Sequence, residues 1–253
     1  MKAILKDVIN PKAMTERNHY VFLLSHMRGY TSVLSHIIGS HPNILGYSEM
    51  HQSYRSWFSF LKLKYKAKLV AKAQSGPKFL FDKVLHNNYT VAPNILLKPN
   101  VHALIMVREP EKTIKSVINM GQKMSTMVAW YRNPEKVTQY YIKRLRRLKK
   151  LGQKLEGKAL FIDAQDVVDD TPKVLRAIEA HLELDRPLSQ EYDTFALTGT
   201  FGAGDPSDHI KSGKIVKNRG DYSNIVVPER LLQQAQQAYL ETTQALRAIN
   251  KTV

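Results

Sequence analysis

Arg28, Thr31 and Ser32 stand in the stretch Phe22-Leu-Leu-Ser-His-Met-Arg-Gly-Tyr-Thr-Ser-Val-Leu34, where an apolar run gives way to a short polar turn and then a helical pattern. A helix start there offers backbone N–H groups that lack internal partners and carry partial positive charge, which suits an anion such as a phosphate. The Arg28 guanidinium and the two hydroxyls add side-chain donors. A second pair carries the same chemistry: Arg108 follows the run His102–Val107, and Ser116 lies eight residues further on. A guanidinium fork takes two phosphate oxygens and a hydroxyl takes a third. Each segment alone also has an ordinary reading, as a strand–helix turn with a Thr or Ser cap, or as an Arg paired with Glu109 or Glu111 beside a surface Ser. The pattern G-x-x-x-x-G-K-[ST], which brings a lysine and a magnesium ion to nucleoside triphosphates, is absent. An ATPase or small nucleotide-dependent kinase is weakened accordingly.

Short apolar runs that alternate with helix-period stretches must position these residues. The runs His19–Leu24, Lys78–Leu85, His102–Val107 and Ala159–Asp163 read as strands, with Ile44–Ser48 a weaker fifth. Helices are expected over Thr31–Gly39, Gln52–Ala73, Pro110–Gln122, Glu135–Leu155, Pro172–His181 and Pro228–Asn250, with Pro110, Pro172 and Pro228 in first-turn positions. The alternation predicts an α/β fold: a single domain over residues 1–253, with a central, mostly parallel sheet of about five strands flanked by helices and a P-loop-like strand–loop–helix phosphate site. Residues 1–18 form an N-terminal extension and 228–250 a C-terminal helix. In the helix from Glu135, Val137, Tyr141, Leu145, Leu148 and Leu155 form an apolar stripe, and Arg144 is grouped with the solvated cations. Thr198–Asn224 is rich in Gly, Ser, Asp and Lys without clear periodicity, and a loop of that length is usually functional or disordered.

Thirty-eight Lys and Arg against 22 Asp and Glu give a formal charge of +16, a field that attracts nucleotides, nucleic acid, sulfated glycans or acidic membranes without choosing among them. A non-catalytic anion-binding module for nucleic acid or acidic membrane is therefore the rival reading. No interleaved aromatic stacking platform or RNA-binding motif supports nucleic acid, whereas the basic surface suits peripheral contact with a membrane. The absence of cysteine excludes disulfides and thiolate metal sites. No signal-peptide core or long apolar run is evident, and a soluble, cytoplasmic protein is expected. Nine histidines show no H-E-x-x-H or other ligand spacing, so no metal is expected to be required.

Taken together, the two anion-binding segments resemble the sulfotransferases that use 3′-phosphoadenosine-5′-phosphosulfate (PAPS). In that family [K/R]-[S/G]-G-[S/T]-[S/T] binds the 5′-phosphosulfate, which Arg28, Gly29, Tyr30, Thr31 and Ser32 match, with Tyr30 standing where the family usually has Gly. Arg108 and Ser116 match the Arg and the Ser eight residues later that bind the 3′-phosphate. Gly39-Ser-His-Pro-Asn-Ile44 and Ser48-Glu-Met-His51 look like the S-x-H-P-x-[I/V] and E-x-H stretches of carbohydrate-modifying members, including heparan sulfate sulfotransferases. Leu160–Val168 with Thr171-Pro172 is similar to the family's Y-E-D-L strand and following helix, so the resemblance spans residues 19–183. Lys217, Arg219 and Gly220 resemble its C-terminal basic-glycine loop, which makes 198–224 a nucleotide-covering segment.

The resemblance implies transfer of a sulfuryl group from PAPS to a hydroxyl or amine of a glycan or glycolipid. That reaction needs a base, an acceptor held in line and positive charge at the leaving phosphate. Glu49 is the preferred base by its match to E-x-H; in an extended segment His51 would share its face, as base, acceptor ligand or core histidine. Arg28 would stabilise the leaving group electrostatically. Asp82 and Lys83, polar within an apolar strand, sit beside a cleft or form a buried pair, with Lys83 a candidate substrate ligand. His41 caps or packs the turn before Pro42.

Overall fold

The computed structural model describes residues 18–71, 77–124, 128–200, 204–205, 208–217 and 220–253. Six strands, β1 (His19–Leu24), β2 (Ile44–Leu45), β3 (Phe79–Val84), β4 (Val101–Val107), β5 (Ala159–Asp163) and β6 (Lys251–Thr252), form one sheet in the order β2-β3-β1-β4-β5-β6. Every neighbouring pair is parallel. The helices are α1 (Thr31–Gly39), α2 (Phe58–Val70), α3 (Pro93–Leu96), α4 (Pro110–Lys123), α5 (Pro134–Leu155), α6 (Asp166–Asp169), α7 (Thr171–Leu182) and α8 (Glu229–Ile249).

Strand periodicity divides the core. On β1, Tyr20, Phe22 and Leu24 face a cluster built with α2, α4, α5 and α8, while Val21 and Leu23 face another built with α1 and α7. A parallel strand covered on both faces reads as an unbroken apolar run, which is what His19–Leu24 is. From β1 the chain first builds outward through β2 and β3, then returns to build β4 and β5 on the other side. The strand order therefore reverses at β1, and the crevice beyond the carboxyl ends of β3, β1 and β4 is where an open α/β sheet takes its ligands.

The sixth strand is a two-residue edge whose Lys251 and Thr252 are exposed, so no apolar pattern announces it. β2 is shorter than expected because Gly46 has φ +112° and lies against β3, where a Cβ would come within 2.4 Å of the Phe81 carbonyl oxygen. The helix expected from Gln52 begins instead at Phe58. Tyr54 pairs with the backbone near Val91, donating its N–H to the Thr90 carbonyl at 2.8 Å and accepting from the Ala92 N–H at 2.9 Å, and this keeps residues 50–54 out of the helix.

Arg144 departs from the solvated helix face assigned to it. It is 4 % exposed, and its guanidinium donates to the carbonyls of Ser25 at 2.6 Å, Val84 and His86. Burial lowers its pKa to about 10, which leaves it charged at neutral pH. Two neighbours on α5 share the task. Tyr140 accepts from the Met27 N–H and donates to the Leu85 carbonyl, and Tyr141 donates to the Arg108 carbonyl at 2.6 Å. One helix thus clasps the carboxyl ends of β1, β3 and β4.

Candidate active site

The β1–α1 loop turns sharply because Arg28 (φ 60°) and Tyr30 (φ 58°) both adopt left-handed backbone. Between them Gly29 packs so closely that a Cβ would lie 3.2 Å from Ser25 Oγ and from the His26 ring. A tyrosine in this conformation costs on the order of 1 kcal/mol relative to glycine. Contacts of its side chain offset that cost: the Arg108 guanidinium carbon lies 4.2 Å from the Tyr30 ring centre, and Arg108 Nη2 donates to the Tyr30 hydroxyl at 2.9 Å. Tyr30 thus links the two anion-binding segments.

Other bonds join the same segments. Arg108 Nη1 donates to the Arg28 carbonyl at 2.9 Å, and Arg28 Nε donates to Ser116 Oγ at 2.9 Å. Behind them the buried His26 accepts the Arg108 N–H at Nε2, 3.0 Å, while its Nδ1 donates to the Met27 carbonyl at 2.9 Å. Burial holds His26 at about 4, so the ring is neutral and carries its proton on Nδ1. Arg28 and Tyr30 from the β1–α1 loop and Arg108 from the β4–α4 loop make one cationic wall, backed by Ser116 on α4.

Glu49 faces this wall from the β2–α2 loop. Its side chain is 9 % exposed and lies 3.4 Å from His86 Nε2. Burial alone would raise its carboxyl, but the His86 hydrogen bond and the charges of Lys83, His86 and His51 outweigh it, and the net shift is downward. The carboxylate is therefore ionised at neutral pH. His51 has φ 47°, so the segment turns there rather than running extended, yet Glu49 and His51 both line the same cleft.

Asp82 and Lys83 do not form an ion pair with each other. Asp82 accepts the Met50 N–H at 2.9 Å and the Tyr54 hydroxyl at 2.6 Å, pinning the loop that carries Glu49. Lys83 approaches Ser32 Oγ at 3.4 Å; burial lowers its pKa, opposed by Glu49, Asp82 and Asp205. His41 does pack its turn, accepting the Asn43 N–H at 3.2 Å while Nε2 lies 3.2 Å from the Arg186 carbonyl.

The cleft between these walls has a volume of about 600 Å³ and is lined by Arg28, Tyr30, Thr31, Ser32, Glu49, His51 and Arg108, with His86, Lys123 and Tyr131 on the far side. Gly204, Asp205, His209, Lys214 and Tyr222 cover part of it. Asp205 donates its N–H to Ser32 Oγ at 2.9 Å and sets its carboxylate 3.2 Å from Arg28 Nη1, and the Tyr222 hydroxyl lies 3.1 Å from Ser116 Oγ. Gly220 lines the cleft. Lys217 is exposed and Lys214 takes its place in the wall, while Arg219 lies outside the described residues. Among the buried side-chain atoms without a hydrogen-bond partner in the described residues are Arg108 Nε and Ser25 Oγ, just past the ends of β4 and β1. An unsatisfied buried guanidinium N–H is costly, and a bound anion would relieve it.

No protein-family model matches the sequence, and comparison with curated proteins finds no match. Among solved structures, a sulfotransferase domain from the curacin biosynthetic pathway superposes with a TM-score of 0.57 at 16 % identity, over 89 % of this chain and 97 % of that one. The chain has the fold of a sulfotransferase domain.

Within that fold, Arg28, Tyr30, Thr31, Ser32, Glu49, His51, Arg108 and Gly220, all singled out in the sequence, line one cleft, while Gly29 is buried in the loop beneath it and Lys83 and Ser116 lie just behind its wall. Sequence reading missed His26, His86, Asp205 and Tyr222. His26 follows a strand end and precedes the loop, which is a usable signal. The other three meet the site only through tertiary contacts.

Proposed function

We propose that this chain is a PAPS-dependent sulfotransferase acting on a hydroxyl or amine of a carbohydrate or glycolipid. The observation that carries the proposal is the fusion of two anion-binding loops, through Arg28–Ser116 and Arg108–Tyr30, opposite a buried, ionised carboxylate at Glu49. A donor with a 3′-phosphate and a 5′-phosphosulfate carries two anionic ends, one for each loop, whereas a kinase nucleotide lacks the 3′-phosphate. The carbohydrate acceptor rests on the resemblance of Gly39–Ile44 and Ser48–His51 to glycan-modifying relatives.

When bound, PAPS supplies an electrophilic sulfur and a phosphate leaving group. On this reading Arg108 and Ser116 hold the 3′-phosphate, and the α1 N-terminus with Thr31 and Ser32 holds the 5′ end. Arg28 and the buried Lys83 offset charge that grows on the leaving oxygen. Glu49 accepts the acceptor's proton as the new oxygen–sulfur bond forms and the old one breaks. His86 steadies the Glu49 carboxylate, and Asp82 holds its loop. Residues 198–224 cover the nucleotide, with Asp205 giving up its place on Arg28.

The test is transfer of labelled sulfur from PAPS to a panel of hydroxyl- and amine-bearing glycans and glycolipids. Label appearing in an acceptor, with release of the 3′,5′-bisphosphate and no added metal, is the expected result. Failure of every acceptor together with absence of PAPS binding would overturn the proposal.

A further inference from the structure

Helix α2 buries Phe60, Leu63 and Ala67 in the core, yet its outward face is not wholly polar. Phe58, Tyr65 and Leu69 are 62 %, 53 % and 65 % exposed, and their spacing of seven and four residues aligns them along one side of the helix, over about 16 Å. Trp57 stacks on Phe58 with ring centres 3.7 Å apart. Single exposed apolar residues need no explanation, but an aligned set that begins with stacked aromatics does.

The charge around this stripe is of one sign. The helix carries four lysines, and from Met50 through Phe81 the sequence holds seven Lys and Arg and no Asp or Glu. Exposed Lys62 and Lys68 flank the stripe, with stems long enough to cover apolar surface while their ammonium groups stay in a polar layer. Beside the start of α2, Arg55 lines a second cleft of about 670 Å³, rimmed by Arg147, Lys150 and Lys154 over apolar Leu148 and Leu151. Glu156 also lines it. Apolar and aromatic groups bordered by cations match the boundary between acyl chains and anionic headgroups.

We propose that α2 and the rim of this second cleft dock on an anionic phospholipid surface. Among the described residues no helix is long and apolar enough to cross a membrane. A protein partner of acidic character would satisfy the charge, but it does not call for Phe58, Tyr65 and Leu69 on one line with lysines beside them. Lys66 donates to the Met50 carbonyl, which ties the docked helix to the loop bearing Glu49 and His51. Lipid docking stands without the transfer reading; if that reading holds, the acceptor would be presented at the membrane.

Co-sedimentation of the full chain with vesicles of phosphatidylcholine, or of phosphatidylcholine with phosphatidylglycerol, tests the proposal in the absence of nucleotide. Binding only to the anionic vesicles, weakened by salt, is expected. The pair Lys62→Gln and Lys68→Gln should weaken it about thirtyfold, and Phe58→Ser with Leu69→Ser at least as much, with an unchanged thermal midpoint. No binding to anionic vesicles at low salt, or binding indifferent to both double variants, would overturn it. So would light scattering that shows self-association abolished by Phe58→Ser and Leu69→Ser while vesicles are ignored, which would assign the face to a second copy. Nucleotide binding, read separately by thermal shift, should be the same in all these proteins, so the two readings fail independently.

Discussion

Substituting Asn for Asp82 removes a buried acid while sparing the bonds that hold the Glu49 loop. The amide oxygen can still accept the Met50 N–H, and the amide nitrogen can donate to the Tyr54 hydroxyl. In the native chain burial, the largest influence, raises the Asp82 carboxyl from 3.8 to about 7 despite the lowering effect of those bonds. The folded protein therefore retains a proton that the unfolded chain releases, and this residue's contribution to stability falls as pH rises from 3.8 to about 7, then levels off. The whole shift corresponds to about 4 kcal/mol, of which about 2–3 kcal/mol lies between about pH 5 and pH 8. Urea unfolding of both proteins across that range measures it. His26, His36, His102 and His181, each held down at about 4 chiefly by burial, contribute with the opposite sign and cancel in the difference between the two proteins. Asp82→Asn should gain about 2–3 kcal/mol over the native chain as pH rises. Parallel curves would refute a protonated Asp82.

Arg108→Ala should weaken 3′-phosphoadenosine 5′-phosphate about ten- to a hundredfold and leave adenosine 5′-phosphate nearly unchanged, as read by calorimetry; an equal loss for both nucleotides would make Arg108 structural only. Glu49→Gln should keep donor affinity but lower turnover to below about one per cent, with His51→Ala milder. Normal turnover in Glu49→Gln with none in His51→Ala would make His51 the base. Asp205→Asn removes the carboxylate that competes for the partly exposed Arg28, and should tighten nucleotide binding by up to about fivefold; an unchanged or weaker affinity would count against displacement of Asp205.

Much of the frame was legible because it rests on local periodicity. The strands His19–Leu24 and Ala159–Asp163 and the helix Thr31–Gly39 begin and end where their apolar runs do. Edges and polar interiors were not. Lys251–Thr252 forms a strand only because β5 offers a free edge, and Arg144 reads as one more cation on a basic helix until three strand-end carbonyls surround it. Tyr30 was recognised as a departure from glycine, but its compensation lies in Arg108, 78 positions away. Glu49 stood out in its motif, whereas His86, which helps keep it ionised, carries no local signal.

The central claim is that two loops are built for two separate anionic groups on one nucleotide, and thermal stability tests it most directly. At about 100 times its dissociation constant, 3′-phosphoadenosine 5′-phosphate should stabilise the chain by about 2.7 kcal/mol, a rise of about 5–10 °C for a protein of this size, without added metal. ATP under the same conditions should give a much smaller rise. Stabilisation by ATP with magnesium and none by the 3′,5′-bisphosphate would contradict the account.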